Sequence, residues 1–203
     1  MSKLDARRDG QGVSGGAAWL SRKAELFHGG NVLGLGFRGG WTAALGGVVV
    51  ASVCSAAFAG PEGASVAAGN VNITRNGSTT LIQASNNSII NYRSFDIGRG
   101  ETVRFLQPNA NSRVLNRITS ARPTQIDGTL SANGRVYIIN PAGVLFGQGS
   151  VVNTARLYAV GGHLADRDFV RGIDHFTDVR GEVRNYGTLS ADFIAMVGAK
   201  VDN

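Results

Sequence analysis

The pentapeptide Gly128-Thr129-Leu130-Ser131-Ala132 returns as Gly187-Thr188-Leu189-Ser190-Ala191, and a Val-x-Asn triplet occurs at Val151-Val152-Asn153, Val183-Arg184-Asn185 and Val201-Asp202-Asn203. Units this short cannot bury their own apolar side chains, so copies of them must stack on one another. A parallel β-helix satisfies that demand, with Val and Leu turned inward on every coil and Asn side chains stacked at the bends. A β-sandwich in which the repetition is accidental is the alternative.

The rest of the chain from Gly60 onward has the same β grammar. Ser78–Ala84, Ser88–Tyr92, Glu101–Leu106, Arg135–Asn140, Gly143–Phe146 and Phe193–Val197 are rich in Val, Ile, Leu, Thr and aromatic residues, and no helical period of comparable length competes with them. Asn91 to Gly100 alternates aromatic and polar residues before a Gly-flanked turn, as a half-buried strand requires. With 29 Gly, only 4 Pro and no three-residue period, the composition favours many tight turns and excludes collagen. An open stack of this kind must cap or cover its end edges.

The N-terminal part is a different object. Residues 41–59, WTAALGGVVVASVCSAAFA, are uncharged, follow Arg38 and close on Ala57-Phe58-Ala59, the small-x-small pattern that signal peptidase accepts. The expected organisation is an extended leader and signal peptide over 1–59, cleaved after Ala59, and an exported domain over 60–203. Gly46 and Gly47 weaken the same stretch as a permanent membrane anchor. Arg7-Arg8 lies too far from the apolar core for a twin-arginine signal, and Val53 before Cys54 does not suit lipidation. Cys54 is the single cysteine, so the exported domain has no thiol for a disulfide or a metal, and apolar packing with backbone hydrogen bonds must hold it.

Charge and residue chemistry narrow the function classes. Of the 20 basic and 14 acidic residues behind the net charge of +6, six and three lie in residues 1–59, and the remaining Arg are scattered singly from Arg75 to Arg184. This is no nucleic-acid footprint. Catalysis on a β-helix needs carboxylates converging on one face. The only acidic cluster, Asp166, Asp168, Asp174, His175 and Asp178, is interspersed with Arg167 and Arg171 and reads as a solvated loop. Gly143 to Ser150 matches a phosphate loop in spacing alone, and His28, His163 and His175 are dispersed. The expectation is a non-enzyme without cofactor or metal. The competing reading is a stand-alone exported β-helix that binds carbohydrate or degrades polysaccharide. Asn72, Asn76 and Asn86 fit the N-x-Ser/Thr glycosylation pattern.

Three linked motifs carry a family resemblance. They are Gln107 to Ile118 (QPNANSRVLNRI), Gln125 to Gly134 (QIDGTLSANG) and Val136 to Gly149 (VYIINPAGVLFGQG), with Arg93 to Gly98 (RSFDIG) also in place. In that order, over about Gly69 to Ala159, they resemble the N-terminal haemagglutination-activity domain of filamentous haemagglutinin-type exoproteins, the secretion domain of two-partner secretion, in its high-molecular-weight adhesin branch. The resemblance implies a right-handed parallel β-helix, secreted or displayed at the cell surface of a Gram-negative-type bacterium. It also implies recognition in the periplasm by an outer-membrane β-barrel transporter with periplasmic domains, and passage through it unfolded. Host-cell or surface glycans would be partners of a passenger, not of this domain.

The family's Asn-Pro-Asn-Gly turn maps onto Asn140, Pro141, Ala142 and Gly143. Pro141 presets the first central position of a tight turn, Asn140 can accept a bond from the backbone two residues on, and Gly143 suits the exit. Ala142 replaces the family's second Asn. Asn116, Arg117 and Asn153 also match family positions, with transporter recognition or the structure of a bend as their expected roles. The chain stops at Val201-Asp202-Asn203 in the middle of a coil-like repeat, so the 60–203 domain is expected to be truncated at its C-terminal end, as a fragment, a gene truncation or an early stop.

Overall fold

The computed structural model describes residues 60–203. The leader 1–59, with Cys54 and the cleavage positions Ala57 and Ala59, lies outside the described residues.

After β1 (Ser65–Ala68) and β2 (Val71–Asn76), the chain winds through five coils. The first contains β3 (Thr79–Ala84) and β4 (Ser88–Tyr92), the second β5 (Thr102–Leu106), β6 (Arg113–Ile118) and β7 (Thr124–Ile126). The third contains β8 (Thr129–Ala132), β9 (Arg135–Ile139) and β10 (Gly143–Phe146). The fourth runs through β11 (Val151–Asn153) and β12 (Arg156–Val160), makes an excursion through β13 (His163–Leu164), α1 (Asp166–Arg171) and β14 (Phe176–Thr177), and resumes at β15 (Glu182–Asn185). The fifth holds β16 (Thr188–Ser190), β17 (Phe193–Val197) and β18 (Lys200–Asp202).

Equivalent strands of successive coils pair in parallel and build three sheets: β3-β5-β8-β11-β16 first, β4-β6-β9-β12-β17 second and β7-β10-β15-β18 third. The fold is therefore the parallel β-helix. The repeated pentapeptide explains itself in this register, because Thr129, Leu130 and Ser131 of β8 and Thr188, Leu189 and Ser190 of β16 pair with the same three residues of β11. The Val-x-Asn triplets divide differently from their sequence likeness. Val183 stacks on Val201 in the third sheet, and Val151-Val152-Asn153 belongs to the first.

Alternation sends every second side chain into the stack. Val114, Val136 and Leu157 form one inward row of the second sheet, and Val103, Leu130 and Val152 form one of the first. Tyr92, Phe95, Ile97, Phe105 and Phe146 fill the wider coils, and each is fully buried. A buried side chain of this class contributes about 1.5–3 kcal/mol, enough to hold a domain that has no disulfide. The first-coil edges are covered by antiparallel additions, β2 on β3 and β1 on β4, which close off unpaired backbone at that end.

A second apolar cluster lies outside the coil. Ile89, Leu115, Tyr137, Ile139, Tyr158 and Val160 point outward from the second sheet and are covered by Leu164 and Phe169 of the excursion. The rings of Tyr137 and Tyr158, neighbours in register, stack with centroids 4.0 Å apart, and Phe169 meets Tyr137 edge-on at 5.3 Å. The segment read from sequence as a solvated loop is thus a packed flap. Its helix ends on Gly172, φ 76°, whose N–H returns to the carbonyls of Asp168 and Phe169. Apolar anchoring orders the flap, because a helix of one and a half turns does not persist alone.

Candidate functional site

The corner between β9 and β10 contains the motif with most local chemistry. Asn140 is fully buried and uses its side chain in both directions. Its Oδ1 accepts the N–H of Ala142 at 2.9 Å, the bond two residues on that the sequence predicts, and its Nδ2 donates to the carbonyl of Arg122 and to Thr124 Oγ1, each at 3.0 Å. Its backbone closes the turn, with the N–H of Gly143 donating to the carbonyl of Asn140 at 2.9 Å, and its own N–H donates to Val160 of the next coil at 3.0 Å. One side chain therefore ties the corner to the coil before, and one N–H ties it to the coil after.

Gly143 is confined by two separate constraints. Its φ of +115° lies in the region that side chains disfavour, and a Cβ there would come within 2.5 Å of the Glu182 carbonyl, its parallel partner on β15. Pro141 and Ala142 remain half-exposed on the outside of the corner. Together with Pro123, Leu145, Glu182 and Arg184 around a hollow of about 320 Å³, Ala142 forms a mainly apolar surface with one ion pair, Glu182 with Arg184.

The other motif residues stand elsewhere. Asn116 occupies an inward position between Ile90 and Ile138, with no exposed surface. Its Nδ2 donates to the Tyr137 carbonyl at 3.1 Å, and its Oδ1 is buried with no hydrogen-bond partner. Arg117, one residue on, faces outward and clamps the flap. Its guanidinium donates to Asn91 Oδ1 at 3.1 Å and to the Leu164 carbonyl at 2.8 Å, and pairs with Asp166. Asn153 is exposed on the first sheet, beside Ser131 and Ser190. The four groups are thus a corner, a core position, a clamp and an exposed face, not a single constellation.

Sequence reasoning missed the flap contacts. Tyr137 donates from its hydroxyl to Asp174 at 3.0 Å, and burial, a hydrogen bond with Tyr158 and the Asp174 charge push its pKa well above the usual tyrosine range. Gly161-Gly162, Gly172 and Gly181, punctuating a segment that contains Phe169 and Phe176, were the available signal. All three sequon asparagines are exposed, Asn72 and Asn76 on β2 and Asn86 in the turn before β4, where its Oδ1 accepts the Arg113 N–H at 3.0 Å. Among the described residues, no three His, Cys, Asp or Glu side chains are placed to share a metal ion.

Comparison with known proteins gives a consistent picture. A family model described as the TPS secretion domain matches residues 57–203. A heme/hemopexin-binding protein of Haemophilus influenzae (strain ATCC 51907 / DSM 11121 / KW20 / Rd) is 37% identical over 155 residues, which cover 70% of this chain and 17% of that protein. A second heme/hemopexin-binding protein from Haemophilus influenzae is 44% identical over 80 residues, 39% of this chain and 9% of its own length. The crystal structure of the HMW1 secretion domain from Haemophilus influenzae superposes with a TM-score of 0.66 at 30% identity, covering 71% of this chain and 41% of that one. The chain spans less than a fifth of the curated relatives it matches.

Proposed function

Because this chain belongs to the TPS secretion domain family, we propose that it is the targeting module of an adhesin-like two-partner secretion exoprotein, not an enzyme, and that an outer-membrane transporter with periplasmic domains reads its β9–β10 corner. Signal peptidase removes the leader after Ala59, the domain crosses the periplasm, and the exoprotein is delivered to the medium or the cell surface. Contacts with host glycans belong to a passenger.

The observation that carries this reading is the division of labour at the corner. Asn140 is wholly engaged inside it, so the asparagine shapes the turn and does not touch a receptor. What faces outward is Pro141, Ala142 and the hollow beside Pro123 and Leu145. Asn116, enclosed in the core, is accessible to a partner only while the chain is unfolded, and Arg117 acts through the flap. Asn153, exposed and away from the corner, is the motif residue free to make direct contact.

The test is co-expression with the cognate transporter, scoring protein in the medium and the processed form in the periplasm. Asn140→Ala and Gly143→Ala are expected to lower export while leaving leader removal intact. Unchanged export of both variants would sink the assignment of the signal to this corner.

A further inference from the structure

The dipeptide Asn-Gly occurs at Asn76-Gly77 and again at Asn133-Gly134. A glycine after asparagine lacks the side chain that otherwise hinders its amide nitrogen, so that nitrogen can approach the Cγ of the asparagine before it. Both asparagines are exposed, and sequence alone does not tell the two pairs apart.

The fold separates them. Asn133 is held at both ends of its amide: Oδ1 accepts the Gln107 N–H at 2.8 Å and Nδ2 donates to the Gln107 carbonyl at 2.7 Å, a rung between the second and third coils. Gly134 behind it is buried, with the Gln107 carboxamide 2.6 Å from where a Cβ would stand. Asn76, in contrast, closes β2 opposite Thr79, so Gly77 and Ser78 are the two turn residues of a hairpin. Gly77 has φ +55° at the first of these places, where a type II′ turn puts glycine. The Asn76 side chain and the Gly77 N–H make no hydrogen bond, and nothing lies within 4 Å of a Cβ position at Gly77.

We propose that Asn76-Gly77 is a site of spontaneous deamidation and isomerisation, and that the Gln107 contacts protect Asn133-Gly134 from the same reaction. Base removes the Gly77 amide proton and the nitrogen bonds to Cγ of Asn76. The Cγ–Nδ2 bond breaks, and its nitrogen leaves, protonated, as ammonia. Water then opens the cyclic imide at either carbonyl, giving aspartate or isoaspartate, whose main chain runs through Cβ. Water is consumed, ammonia is released and no oxidation state changes. An added main-chain atom disturbs the Asn76–Thr79 register, and β2 is the strand that covers the first-coil edge at β3. The reaction is thus a clock on that cover, placing a negative charge at its turn and fraying it from there.

The test is incubation of the exported chain in warm, mildly alkaline buffer and, in parallel, in urea, with peptide mass mapping and enzymatic methylation of isoaspartate. In buffer, Asn76 should convert about tenfold or more faster than Asn133, which must first give up its two hydrogen bonds. In urea the two should convert at similar rates. Gly77→Ala, which the open turn accommodates, should slow conversion at residue 76 severalfold, and Asn76→Gln should abolish the early release of ammonia. The proposal is overturned if Asn76 stays unconverted in buffer while converting in urea, if Asn133 keeps pace with it in buffer, or if their difference persists in urea.

Discussion

The side-chain amide of Asn140 donates to the hydroxyl of Thr124 over 3.0 Å, and both residues are buried, so the turn that opens β10 is fastened to the strand stacked on it in the preceding coil. A corner built this way transmits its own disruption to the stack.

Asn140→Ala removes three side-chain hydrogen bonds and leaves buried groups unpaired, which should cost about 2 kcal/mol or more. Gly143→Ala faces both a positive φ and the Glu182 carbonyl, whereas Gly77→Ala, at φ +55° in the open β2–β3 turn, meets nothing within 4 Å. Urea unfolding should therefore rank Gly143→Ala well below Gly77→Ala, which should lose only about 1 kcal/mol of backbone origin. Equal losses would show that contact with β15 does not constrain the corner.

Asn116 is expected to behave oppositely to Asn140. Its Oδ1 has no partner, so Asn116→Leu exchanges a half-satisfied buried amide for apolar packing of similar volume. Stability should stay within about 1 kcal/mol of the unaltered protein, with either sign permitted by the lost bond to Tyr137. A loss as large as that of Asn140→Ala in the same denaturant series would refute the contrast.

Phe169→Ala and Arg117→Ala both detach the flap, one by removing its apolar anchor and the other its clamp. Limited proteolysis should cut between Leu164 and Arg180 in either variant while residues 60–160 stay protected. The opening is local because few coil contacts depend on the excursion. Simultaneous digestion of the whole domain would contradict that independence.

Alkali should unfold the domain through Tyr92 and Tyr137. Burial pushes both hydroxyls above the usual tyrosine range, and at Tyr137 the Tyr158 hydrogen bond and the Asp174 charge add to it. A folded pKa above the unfolded value gives stability that is complete below about pH 10 and is lost as pH rises beyond it. Tyrosinate absorbance should appear together with loss of β signal. Tyr92→Phe, whose parent hydroxyl has no partner, should shift that transition upward without weakening the protein at pH 7.

Strands β4, β10 and β17 were legible to the residue, because each is a dense β-branched or aromatic run bounded by Gly, Pro, Asn or Asp. Strands such as β7, β11 and β18 are only three residues long and lack a measurable alternation of their own. Their state is set by the coils on either side. The Asn140 turn was readable since its bond partner lies two residues away, whereas the burial of Asn116 and the reach of Arg117 to Asp166 depend on neighbours brought close by winding. The helix in the flap escaped notice for the same reason, its one buried ring landing on Tyr137 from a different coil.

The flap leaves the stack at Gly161 and rejoins it at Gly181, whose N–H donates to the Gly161 carbonyl at 2.8 Å. Where the fifth coil makes the equivalent passage from β17 to β18, Gly198 and Ala199 suffice. The segment between the two glycines is therefore a side branch on a closed circuit: lineages can lengthen, shorten or exchange it without altering which residue lies above which, so surface novelty and the winding of the scaffold can evolve on separate schedules.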